Sequence, residues 1–117
     1  FPPVHPADEH KAHSVYQPQH LYLALAIAYA HRGEFVRSLA AAQQVFEMAP
    51  EELDEDAPAL LEIYLNAAQS WLARGHYERA AVFLRELIPL AQRWGDVRPL
   101  RLLQTVQALD DPLQRNV

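Results

Sequence analysis

The side chains that could do chemistry are six histidines, fifteen carboxylates and a few serines, and the chain has no cysteine. Three histidines stand near the start, at His5, His10 and His13, with Glu9 among them. His10 and His13 are three residues apart, a spacing that shares one helix face. A zinc site needs three or four ligands converging on a held scaffold. Pro2, Pro3, Pro6 and Pro18 fall in the same stretch, and a segment so rich in proline builds no long helix to hold ligands. Residues 1–18 read as an arm without a metal.

The carboxylates cluster at Glu47, Glu51, Glu52, Asp54, Glu55 and Asp56. A calcium loop of the EF-hand kind needs a glycine at its sharp turn and fixed acid spacing, and both are missing. The cluster reads as a solvated loop, with a docking patch for a basic partner as the alternative. Glu-x-x-His, the di-metal signature of helical bundles, is absent. Ser14, Ser38 and Ser70 have no base at a recognisable spacing, and Ser38 and Ser70 read as packing positions. Gly33, Gly75 and Gly95 stand far apart. Dinucleotide and phosphate loops need glycines close together, as does a serine nucleophile elbow. Without cysteine there is no disulfide, zinc–thiolate site or thiol catalysis. The expectation is no enzyme and no cofactor.

Charge and composition narrow the partners. Half of the 117 residues are hydrophobic and 21% are charged, which suits one globular domain. Net charge is −5. Residues 1–66 hold 10 acids and 3 bases, and residues 67–117 hold 5 acids and 7 bases. The arginines of the second half, from Arg74 to Arg101, are interleaved with Glu78, Glu86 and Asp96, so they form no basic stripe for nucleic acid. The apolar run at 21–30 is too short to span a bilayer. The chain starts without Met or a signal-peptide pattern and reads as a processed product or a piece cut from something longer; the compartment stays open, with a soluble cytoplasmic setting favoured.

The elements that must position these groups are helices. From Gln19, with Pro18 in the first turn, Tyr22, Leu25, Ala26 and Tyr29 fall on one face, and Gly33 ends the helix. A second helix spans about 34–49, with Phe35, Leu39, Ala42, Val45 and Phe46 on one face, and Pro50 stops it. Residues 50–57 are an acidic connection, with Asp56 as N-cap. A third helix runs to about Arg74, carrying Leu60, Tyr64, Ala67, Ala68 and Trp71. The fourth covers about 77–94, where Pro89 predicts a kink or a break. A fifth covers about 99–109. No segment alternates like a strand. The domain is expected at 19–110, with a tail at 111–117.

Two turns are alike. Tyr29 and Trp71 each precede a glycine by four residues, Arg32 and Arg74 precede it directly, and Phe35 and Tyr77 follow it by two. This resembles the tetratricopeptide repeat, W-x2-L-G-x2-Y…A-x3-F…P. Tyr22, Leu25, Ala26 and Tyr29, then Ser38, Ala42 and Pro50, take the signature places of a first unit. Tyr64, Ala67, Ala68 and Trp71, then Ala80 and Leu84, take those of a second, and its closing proline would fall at Gln92. Gly33 and Gly75 are 42 residues apart against about 34 in the family, and the excess falls in residues 50–57. The resemblance implies an all-α fold of antiparallel helix–turn–helix units, two of them plus a capping helix. About three units are usual for stability, so the arm, the cap or dimerisation has burial to supply.

The resemblance also implies a function. Such proteins bind extended peptides or helices on a concave face lined by the first helix of each unit. The matching positions are His20, Leu23, Ala24, Ile27, Ala30 and His31, then Glu62, Leu65, Asn66, Gln69, Leu72 and Ala73. Asn66 matches one place of the clamp by which chaperone-binding members hold a carboxylate. The expected Lys and Asn of the first unit are Leu23 and Ile27 here, which argues against the clamp. Residues 21–30 are apolar all round, so something should cover Leu23 and Ile27. The expected role is a non-catalytic scaffold or adaptor for a protein or peptide partner. The alternatives are a regulatory domain of a larger bacterial protein, such as a transcription regulator, and a self-associating homodimer. No membrane insertion and no nucleic acid are expected.

Overall fold

Gly33 and Gly75 adopt φ values of 75° and 82° in the computed structural model, which describes residues 17–109. Each closes a helix the same way. The Gly33 N–H donates to Ala30 and the Glu34 N–H to Tyr29; the Gly75 N–H donates to Leu72 and the His76 N–H to Trp71. These bonds satisfy carbonyls that a helix end leaves open, and they require a left-handed residue. A third turn of the same pattern sits at Gly95. Open space surrounds the position of a Cβ at Gly33 and Gly75, so the penalty of a side chain is one of backbone alone. Gly33→Ala and Gly75→Ala are each expected to cost about 1 kcal/mol in chemical denaturation. Neutral results at both would contradict this account of the turns.

The turns separate α1 (Pro18–His31), α2 (Phe35–Met48), α3 (Ala57–Ala73), α4 (Tyr77–Arg93) and α5 (Arg98–Leu109), with a 3-10 turn at Pro50–Leu53 between α2 and α3. The fold is all-α, and no strand occurs among the described residues. α1 packs on α2, α3 on α4 and α4 on α5, while α2 also touches both α3 and α4. Tight turns between packed neighbours make each pair antiparallel. The arm's His5, Glu9, His10 and His13, Ser14, and the tail at 111–117 lie outside the described residues.

Small residues bring the helices together. Ala26, Ala42, Ala68 and Ala80 are all fully buried. Larger side chains fill what remains: Leu39, Leu84 and Leu87 are also sealed from solvent, each worth about 1.5–3 kcal/mol of burial. Aromatic rings join the two hairpins. Trp71 meets Phe83 edge-on at 5.0 Å and Phe35 of the first hairpin at 6.2 Å. Ser38 is buried too, but it is more than the packing position its sequence context suggests. Its hydroxyl donates to the Ala26 carbonyl at 2.6 Å and lies 2.7 Å from the Tyr64 hydroxyl, tying α1, α2 and α3 at one point. Ser70, by contrast, is exposed.

Three other expectations hold only in part. Of the kink or break expected at Pro89, the break does not occur, since α4 continues through it. Proline removes the bond to the carbonyl four residues back, and that residue, Arg85, is exposed along with Pro89, so the lost bond falls on the solvent side of the helix. Leu87, Leu90 and Ala91 are buried around it and hold the helix. Asp56 stands at the N-cap of α3, but its side chain makes no capping bond. The acidic connection is not a loose loop. Leu53 is buried, and the Trp94 indole donates to Asp54 at 3.0 Å while packing against Phe46.

Candidate interaction grooves

The two helices expected to line a concave groove carry different surfaces. On α1, His20 and His31 are exposed, Leu23 and Ile27 are half-buried, and Ala30 is buried. His20 approaches Glu52 at 3.6 Å. Among the described residues α1 fully buries only Ala26 and Ala30, and Leu21 is 60% exposed. The helix carries no charge between Leu21 and Ala30, and Tyr22, Leu23 and Leu25 pack in part against the core.

On α3, Glu62, Asn66 and Gln69 recur at helical spacing and point outward, with Leu65 buried beneath them and Leu72 half-buried further along. The first four of these line a cleft of about 300 Å³ whose opposite wall is Arg101, Leu102 and Thr105 of α5. The residues named on α1 do not line it. Glu62 is engaged: the Arg98 guanidinium pairs with it and with Asp96, at 2.7 Å to the latter. Hydrogen bonding to Arg98 holds the Asp96 carboxyl below the usual carboxylate range. Arg98 so links α5 to α3 at the Glu62 end of the cleft.

A larger cleft, of about 570 Å³, opens between α2 and α4. Val36 stands on one side; Tyr77, Val82 and Phe83 stand on the other, with Glu78 and Glu86 at the rim. Val36 and Val82 are 54% and 50% exposed. Sequence reasoning missed this site, yet a signal was present: both valines fall outside the apolar stripe that faces the core. Arg79 lies over the Trp71 ring, 4.5 Å from its centre, a cation–π contact that closes one end.

No group of three His, Asp or Glu residues converges as metal ligands would among the described residues, and no described helix is long and apolar enough to cross a membrane. No protein-family model, curated protein or solved structure matches the chain.

Proposed function

We propose that the chain is a tetratricopeptide-like interaction module without catalytic activity, which takes a peptide or helix of another protein along the outward faces of α1 and α3. One observation carries the reading: two helix hairpins close through the same left-handed glycine turn and lie side by side, joined through Phe35 and Trp71. Each hairpin presents its first helix with unspent binding capacity. α1 offers the half-buried Leu23 and Ile27, and α3 offers the exposed amides of Asn66 and Gln69. Apolar side chains would seat partner side chains, and amides suit the polar backbone of an extended segment.

The test is a random-peptide display selection on the intact chain, followed by calorimetry of the recovered peptides. Leu23→Glu and Asn66→Ala are each expected to weaken binding about tenfold or more, with helicity by circular dichroism unchanged. Unchanged affinity in both variants would sink the reading. A homodimer is the second reading, favoured by the uncovered side of α1 around Leu21. Light scattering that shows a monomer across the micromolar range would count against it.

A further inference from the structure

We propose that the cleft between α2 and α4 is a separate docking site for a basic amphipathic segment of another protein. One bulky apolar side chain of that segment enters between Val36 and Val82, and its Lys or Arg side chains meet Glu78, Glu86 and Glu47. The site stands apart from the α1/α3 faces and does not depend on them.

The seat is apolar. Two valines that a solvated helix face would replace with polar residues are about half exposed, and Phe83 and Tyr77 form the wall behind them. A cavity of about 570 Å³ has room for a large side chain with part of its backbone. Isolated exposed valines need no explanation. Here the two border one concavity, which is where a buried anchor gains most.

The seat is lined by two carboxylates, Glu78 and Glu86, and one guanidinium, Arg79. Glu78, Val82 and Glu86 recur every fourth residue along α4 and form a single stripe. Glu86 also borders a second cleft of about 320 Å³, lined by Gln43, Phe46, Glu47 and Pro89. The groove therefore continues along both helices, and the Gln43 amide donates to the Glu86 carbonyl at 3.2 Å to hold its walls in register. None of Glu47, Glu78 and Glu86 is in an ion pair among the described residues. At the turn end Arg32 and Arg37 share Glu34 and Arg79 lies over Trp71, so the carboxylate excess lies toward Glu86 and Glu47. Opposite charge speeds encounter and sets orientation, while the apolar seat supplies residence time. An acidic or wholly apolar partner would leave these carboxylates repelled or desolvated without a partner.

The experiment uses two short labelled peptides on the intact chain. One is a Leu/Lys sequence patterned as an amphipathic helix, and the other is its Leu/Glu counterpart. Fluorescence anisotropy is expected to show binding of the Lys peptide, weakened by added salt, and none of the Glu peptide. Val36→Lys with Val82→Lys should weaken it about tenfold or more, as should Glu78→Lys with Glu86→Lys. Glu51→Lys with Glu55→Lys, on the exposed connection, should change it less than about threefold, and so should Leu23→Glu on α1. Equal losses from the connection variant would mean diffuse charge attraction and overturn the proposal. So would binding that survives both cleft variants, or a homodimer that the Val36→Lys, Val82→Lys variant disperses.

Discussion

Trp71→Ala is expected to lower the unfolding free energy by about 3–5 kcal/mol, the largest loss from any single truncation considered. Trp71 is a buried ring that serves two hairpins. It stacks edge-on against Phe83 of α4 within its own hairpin and against Phe35 of α2 in the other, at 5.0 and 6.2 Å. Tyr64 continues the cluster, 5.8 Å from Phe83. Removing the indole opens a void that helices fixed by tight glycine turns cannot collapse to fill. It also strips Arg79 of the ring beneath it. Urea unfolding followed by circular dichroism checks the result. A second expectation separates this role from ordinary burial: Phe35→Leu should cost less, about 1 kcal/mol, and should add to Trp71→Ala by less than the sum of the two, because they share one contact. Full additivity would show that the hairpins are held together elsewhere.

Ser38→Ala is expected to cost about 1–3 kcal/mol, although it removes a single oxygen. The Ser38 hydroxyl spends its proton on the Ala26 carbonyl, so the Tyr64 hydroxyl must donate to Ser38 across their 2.7 Å contact. Deleting the serine oxygen leaves a buried phenol without an acceptor. Tyr64→Phe should be milder, about 1 kcal/mol, because Ser38 keeps its bond to Ala26. The double variant should resemble Tyr64→Phe more than the sum. The pair also has an alkaline signature. Burial pushes the Tyr64 hydroxyl up to about 12, and the hydrogen bond with Ser38 offsets only part of that rise. The unfolded hydroxyl titrates near 10. Below about pH 10 both states hold the proton and the contribution is complete. Between about 10 and 12 only the folded state holds it, so stability falls as pH rises, by about 3 kcal/mol across the window. Tyr64→Phe should remove that component from the pH profile, and an unchanged alkaline slope would refute the assignment.

Much of the architecture was legible because helices announce themselves locally. The face formed by Tyr22, Leu25, Ala26 and Tyr29 gave α1, and Gly33 gave its end; Trp71 and Gly75 did the same for α3. Pro89 does not produce the break that was one of two expectations, for a physical reason. Its cost is local, and whether the helix tolerates it depends on where the freed carbonyl points and on what packs around it. The acidic connection misled in the opposite direction. Leu53 and the bond from Trp94 to Asp54 pair residues forty positions apart, which no short window can register.

The site divides the same way. Sequence placed Glu62, Leu65, Asn66 and Gln69 on a common face, and the fold set that face against Arg101 and Thr105 of α5, while engaging Glu62 with Arg98. The valine-lined cleft was not legible, because Val36 and Val82 belong to different helices and neither is unusual alone. By itself the sequence determined the helices and their ends, since these depend on spacing and backbone preference within a few residues. The tertiary structure alone decided which polar groups are spent and which hollows remain open, because burial and pairing are set by residues brought together from distant parts of the chain.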